Sequence, residues 1–164
     1  MNNGIISSSA IMHYLNETQH ERLNHINSIK RIPKEGHVWL DRFTIRNLEL
    51  FRPNSVEGKC LIDVIDQTLS PMGGRLLKRW VALPSCDKEV IISRHNIVEF
   101  LISDEKTNEL IHNVISKLSD IERLTSKLAT KKINPREIFS LMNSVELIEN
   151  LKSDISKTEC IELN

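Results

Sequence analysis

DQTLSPMGGRLLKRWVALP, residues Asp66 to Pro84, is the stretch whose reading decides the fold. Ser70 can accept from the free amides of a first helical turn as N-cap, and Pro71 then falls at N1, where a missing N–H costs nothing. A helix starting at Ser70 is therefore predicted. At about 100° per residue, Met72, Leu76, Leu77, Trp80, Val81 and Leu83 share one half of the cylinder, whereas Arg75, Lys78 and Arg79 share the opposite arc. One face reads as core and the other as basic. Gly73 and Gly74 are each less favourable than Ala in a helix by roughly 1 kcal/mol, so they mark either a close backbone approach or a frayed first turn.

Working outward, most of the chain carries helix signals. Ile6, Ala10, Tyr14 and Leu15 recur at helical steps from Ile5 to Thr18. Gln19 to Pro33 fits either a helix or an extended segment, while Val and Trp in HVWLD (His37 to Asp41) favour a short strand. Asp41 can cap a short helix inside DRFTIRNLEL, and FRPNSVEGK (Phe51 to Lys59) is a surface loop and the only internal linker. A short helix from Cys60 to Gln67 would bury Leu61, Val64 and Ile65. Asp87 caps a further helix to about Ser103, and Ser103 or Asp104 begins the next, with its stripe of Leu110, Ile111, Val114, Ile115 and Leu118. Capping-box spacing recurs at Ser119 with Glu122 and at Asn134 with Glu137, the latter followed by Pro135 at N1. The last helix carries Ile138, Leu141, Met142, Val145, Ile148 and Leu151 and suits a bundle or the end of an extended arm. The fold class is accordingly all-α, multihelical and of lever or bundle type, with at most a short minor strand pair. Leu76, Leu77, Trp80, Leu110, Val114 and Leu118 are expected to be buried.

Bulk composition narrows the function classes. A chain of 164 residues can bury roughly 70% of its unfolded surface and can fold without disulfides or metals. With 22 basic and 22 acidic residues it has no global attraction for nucleic acid or membrane. Three cysteines, Cys60, Cys86 and Cys160, show no C-x-x-C spacing and read as reduced thiols. No apolar run approaches the ~20 residues of a membrane span, and MNNGIISSSA lacks the pattern of a signal peptide, so a cytoplasmic location is expected.

Chemistry-bearing motifs are few. Gly58 and Lys59 resemble the end of a phosphate loop, but Pro53 and Cys60 stand where Gly and Ser/Thr are required. His20, Glu21 and His25 miss the H-E-x-x-H zinc spacing by one residue, since Asn24 occupies the required position. No catalytic, cofactor-binding or metal-ligating residue is expected in this chain. Arg75, Lys78 and Arg79 are candidates for weak contact with a DNA backbone. The alternatives are a solvated face or partners for carboxylates on a neighbouring helix. Trp39 and Trp80 read as core rather than as base-stacking residues. In DRFTIRNLEL, Thr44, Arg46, Asn47 and Glu49 are enclosed by Phe43, Ile45, Leu48 and Leu50, which suits a semi-buried hydrogen-bond network.

These segments together resemble the core domain of the MutS family of DNA mismatch repair proteins. Asp41, Thr44, Arg46, Asn47, Leu48, Glu49 and Leu50 match the family's D-x-x-T-x-R-N-L-E-L segment. Thr68, Ser70, Met72, Gly73, Arg75, Leu77, Trp80 and Pro84 match its T-x-S-x-M-G-x-R-x-L-x-x-W-x-x-x-P segment. DIERL (Asp120 to Leu124), NPREI (Asn134 to Ile138) and AIMHYLNETQ (Ala10 to Gln19) follow the family's pattern in order. The resemblance implies a core and lever segment, read as one structural domain: residues 1–59 form an amino-terminal helix, strand and junction, and residues 60–164 a helical bundle and the start of the lever. It further implies that Asp41, Thr44, Arg46, Asn47, Glu49, Thr68, Gly73 and Arg75 form a junction that couples regions outside the chain. The parent would be a homodimeric, DNA-dependent ATPase using ATP and Mg, with its other domains and mismatched double-stranded DNA as partners. A MutS paralogue lies in the same class; a freestanding helical nucleic-acid-binding module and a helical interaction scaffold lie outside it.

Overall fold

The structure is a computed structural model in which residues 2–18, 23, 26, 28, 36–156 and 158 are described. Their elements run α1 (Asn2–Glu17), α2 (Arg42–Asn47), α3 (Leu61–Ile65), α4 (Pro71–Ala82), α5 (Lys88–Ser103), α6 (Glu105–Ile115), α7 (Ile121–Ala129) and α8 (Pro135–Ile155), with no strand among the described residues. The fold is all-α, as the helix signals predict. In place of a strand at His37 to Asp41 there is one antiparallel bridge between His37 and Ser85. Val38 N–H donates to the Pro84 carbonyl at 2.8 Å and Cys86 N–H to the Gly36 carbonyl at 2.9 Å. This fastens the chain before α2 to the chain after α4. Most of Gln19 to Pro33, His20, Glu21 and His25 included, lies outside the described residues, as does Cys160; Cys60 and Cys86 are free thiols.

Local chemistry sets the helix starts. The Ser70 hydroxyl accepts from Gly73 N–H at 3.1 Å with Pro71 at N1, and Asp87 accepts from the amides of Glu89 and Val90. Asp104 accepts from Thr107 N–H at 3.2 Å. The Asn134–Glu137 capping box closes in both directions, at 2.9 and 3.1 Å. Each such cap contributes on the order of 1 kcal/mol. One start differs from the expectation: α7 is capped by Asp120, which accepts from Arg123 N–H at 3.2 Å, and not by Ser119. Ser119 instead donates its N–H to the Ser144 hydroxyl of α8 at 3.1 Å, so tertiary contact has taken the neighbouring residue out of the cap.

Packing is concentrated in the carboxy-terminal half, where α6 and α7 lie on α8 and α5 lies on α6. Ser144, only 1% exposed, bonds Ser119 and donates to the Ser140 carbonyl at 2.8 Å, tying the α6–α7 connection to α8. Among the described residues the buried apolar side chains are Leu50, Cys60, Ile62 and Leu124, of which Cys60 is fully buried. That set corrects three expectations. In α3 it is Ile62 that is buried, while Leu61, Val64 and Ile65 are exposed. Leu76 (46%), Trp80 (41%) and Leu110 (36%) are exposed as well, while Leu77, Val114 and Leu118 are half-buried. Trp39 is exposed rather than core, and Trp80 carries the Arg94 guanidinium 3.7 Å above its ring in a cation–π contact.

The physical reason is the lack of a complete second apolar layer. Accessible surface amounts to 13388 Å², against roughly 8,300 Å² expected of a compact monomer of this size. The amphipathic stripes exist, but neighbouring helices cover them only in part among the described residues.

Candidate functional site

The DRFTIRNLEL segment folds into a cap, a short helix and a left-handed turn. Asp41 accepts from Thr44 N–H at 2.7 Å, which starts α2 and, with Thr44 as the leading cause, holds the Asp41 carboxyl below its ordinary value. After α2, Glu49 adopts φ 49°, a left-handed conformation that costs a non-glycine residue about 1 kcal/mol or more. Two sets of hydrogen bonds hold it there. Its carboxylate accepts from Asn54 N–H at 3.0 Å, and its carbonyl accepts from Leu61 N–H at 2.9 Å. Leu50 then accepts from Ile62 N–H at 3.1 Å, so the turn is stitched to the start of α3 above the buried Leu50, Cys60 and Ile62.

The semi-buried network expected of Thr44, Arg46, Asn47 and Glu49 does not form as one unit: Thr44 N–H serves the Asp41 cap, Glu49 bonds Asn54, both bonds are exposed, and Arg46 and Asn47 lie on the surface. The Arg46 and Asn47 side chains have no hydrogen-bond partner among the described residues; Arg46 takes part through its carbonyl, which accepts from Glu49 N–H at 3.1 Å and from the Asn54 side-chain amide at 3.4 Å. Asn54, in the FRPNSVEGK loop, is the closing residue. Asn-rich turns offer that signal in sequence, because Asn readily bonds nearby backbone.

A second polar cluster surrounds the start of α4. Asp66 accepts from the Thr68 amide at 3.1 Å and from its hydroxyl at 2.6 Å. Hydrogen bonding from Thr68 is the first cause of the lowered Asp66 pKa, and Lys78 adds to it. Lys78 also contributes to the lowered pKa of Asp63, after the hydrogen bonds from Cys60 and the charge of Lys59. A Cβ on Gly73 would lie 3.2 Å from the Ser70 hydroxyl and 3.5 Å from Thr68 Cβ, and one on Gly74 would lie 3.2 Å from Thr68 Oγ1. The glycine pair lets the Asp66–Thr68 turn lie against the first turn of α4.

Arg75 carries this cluster across the fold. Its Nη1 and Nη2 donate to Asp120 Oδ2 and Oδ1 at 2.9 and 2.7 Å, and its Nε and Nη2 donate to Glu122 Oε2 at 2.9 and 2.6 Å. The planar fork of Arg suits this bidentate arrangement. Arg75 holds the Asp120 carboxyl at about 2, well below the usual 3.8, and the two acids in turn raise the Arg75 pKa. Among the alternatives for the basic face, Arg75 is thus a partner for carboxylates on another helix, with its donors committed. Lys78 and Arg79 remain on the exposed arc, and the Lys78 charge acts on Asp63 and Asp66. Sequence reasoning placed DIERL in the right order without pairing it to Arg75. Asp120 is the N-cap of α7 and Glu122 lies in its first turn, and the Arg75 fork spans both.

The Gly58–Lys59 turn does not fit a nucleotide phosphate. A Cβ on Gly58 would lie 2.6 Å from the Ser55 hydroxyl and 2.9 Å from Pro53 Cβ, so the loop is filled by its own side chains. Among the described residues no group of His, Cys, Asp and Glu is arranged to hold a metal ion, and no helix is long and apolar enough to cross a membrane.

Two stitched helix starts and an ion pair between α4 and α7 characterise an all-helical segment. The family described as MutS domain III matches residues 43–164, and the chain belongs to that family. Similar curated relatives are the DNA mismatch repair protein MutS of Christiangramia forsetii, 54% identical over 149 residues, and that of Flavobacterium johnsoniae, 52% identical over 153 residues. The alignments cover 91% and 92% of this chain and 17% of each relative. The protein of the same name from Bacteroides thetaiotaomicron is 41% identical over all 164 residues, which is 19% of its length. The chain thus spans less than a fifth of the curated relatives it matches.

Proposed function

We propose that this chain is the core segment of a DNA mismatch repair protein, acting as a structural and allosteric connector between a mismatched-DNA-binding region and an ATPase region elsewhere in the parent. The observation that carries the reading is the Arg75 fork, which joins the second turn of α4 to Asp120 and Glu122 at the start of α7, 45 and 47 residues away in sequence. Coupling requires two sites and an element between them with two arrangements. An ion pair of four hydrogen bonds is such an element: made, it fixes α4 to α7 and through them to α8; broken, it releases them.

The parent is a DNA-dependent ATPase that uses ATP and Mg, works as a homodimer and resides in the cytoplasm. The names of the relatives and the family match support the mismatch-repair parent; the ATPase, ATP and Mg, homodimer and cytoplasm rest on the sequence and its resemblance alone. Within it, this chain alone hydrolyses no ATP and binds matched and mismatched duplexes equally weakly at physiological salt. The reading frame around the chain tests the assignment: an F-x-E segment upstream and a G-x-x-x-x-G-K-[ST] segment downstream are expected. A frame lacking both, or a preference of the chain itself for mismatched duplex, would contradict it.

A further inference from the structure

We infer that the cavity between α2 and the turn that follows it is an anion site taking phosphate groups, with Arg42, Arg46 and Arg52 as its donors. The cavity has a volume of about 480 Å³, and Ile45, Phe51 and Pro53 line it beside the three arginines. Arg42 and Arg46 stand one helical turn apart on α2, where like charges repel unless something neutralises them. Arg52 adds a third positive charge from beyond the Glu49 turn.

No carboxylate pairs with any of the three among the described residues: the arginine-to-carboxylate ion pairs there all belong to Arg75. The two acids of residues 41–54 are committed to backbone amides, Asp41 to Thr44 and Glu49 to Asn54. Asn54, which also lines the cavity, has its side-chain amide on the Arg46 carbonyl. Three arginines, with five N–H donors each, therefore line one concave space, and none of them makes an ion pair among the described residues.

Phosphate fits that arrangement better than carboxylate does. At Arg75 two carboxylates share one guanidinium, because each of them reaches only one edge of the fork. A phosphate group carries up to two charges and projects oxygens in three or four directions, so one group can accept from several forks. A free phosphate-bearing ligand offers this in one group; a phosphodiester strand, with one charge and two free oxygens per phosphate, offers it through successive phosphates. The inference does not depend on the coupling function: it concerns binding by this chain, whereas coupling is read in the parent.

The test is a titration of the full chain with inorganic pyrophosphate at low salt, following the arginine Nε–H resonances by NMR. Parallel arms use a mixed-sequence duplex and a glutamate-rich peptide. Saturable shifts confined to Arg42, Arg46 and Arg52 are expected, with affinity falling at least tenfold in R42Q/R46Q/R52Q and unchanged in K78Q/R79Q. If the triple variant loses its helical circular dichroism, R52Q alone, in a turn where the side chain makes no hydrogen bond, should still weaken binding by about threefold. The same shifts with duplex assign the site to a strand, and shifts with pyrophosphate alone assign it to a free phosphate ligand; both support the inference. Uniform shifts of all arginines, no saturation, or tighter binding of the glutamate peptide than of pyrophosphate would overturn it.

Discussion

Asp120 does two jobs with one carboxylate. Its Oδ1 caps α7 through Arg123 N–H, and both oxygens accept from Arg75. Because its pKa is lowered in the fold, to about 2 from 3.8, its stabilising contribution is complete above the ordinary value and is lost as pH falls through the folded one. Asp120→Asn should therefore flatten the acid limb of the stability profile between those two pH values; an unchanged limb by urea denaturation at stepped pH would show that the pair adds nothing. Gly73 is the other position where a single atom decides. A side chain there presses on the Ser70 cap at 3.2 Å and on Thr68, so Gly73→Leu should cost about 1–3 kcal/mol despite better helix propensity. A gain in stability on urea titration would mean the first turn of α4 yields freely. The glycine pair in DQTLSPMGGRLLKRWVALP left a close approach and a frayed first turn as alternatives, and the neighbouring Asp66–Thr68 turn was not legible as its partner, since residues two to eight positions apart can meet in many ways.

At the scale of elements, helix starts were the most legible feature, and the reason is locality. Ser70 with Pro71, Asp87, and Asn134 with Pro135 and Glu137 satisfy amides within three residues of themselves, so sequence contains both partners. Ser119 shows where this fails: its N–H goes to Ser144, 25 residues away, and the cap moves to Asp120. Ser144→Ala leaves that partly buried amide without its acceptor and should destabilise by about 1–3 kcal/mol. Loss of α7–α8 docking, read as faster amide exchange at Ser119 and along α7, should accompany it. An unchanged midpoint and unchanged exchange would show that Ser144 is dispensable. The Arg75 pair lay beyond reach for the same reason as Ser119. Arg75, Asp120 and Glu122 each sit in a recognisable segment, yet nothing local says which acids a basic arc meets.

For the whole molecule, the mismatch between apolar stripes and actual burial is the main lesson. Periodicity correctly identifies which side of α4, α6 and α8 is apolar, but it carries no information on whether the cover is supplied by the same stretch of chain. Leu76, Trp80, Phe139 and Met142 are exposed here, in a chain that spans 17–19% of its MutS relatives. Such faces are what a connector presents if the remainder of a larger protein packs on it. The central claim is that the Arg75 pair transmits between distant sites of that protein. The most direct measurement is the ATPase rate of the full-length parent with and without mismatched duplex, in the wild type and in Arg75→Gln. With basal ATPase and mismatch binding retained, stimulation by DNA should fall by about 2- to 30-fold, which corresponds to a coupling change of roughly 0.5–2 kcal/mol. Unchanged stimulation in a folded Arg75→Gln protein would contradict the claim and leave the ion pair a structural fastening of α4 to α7.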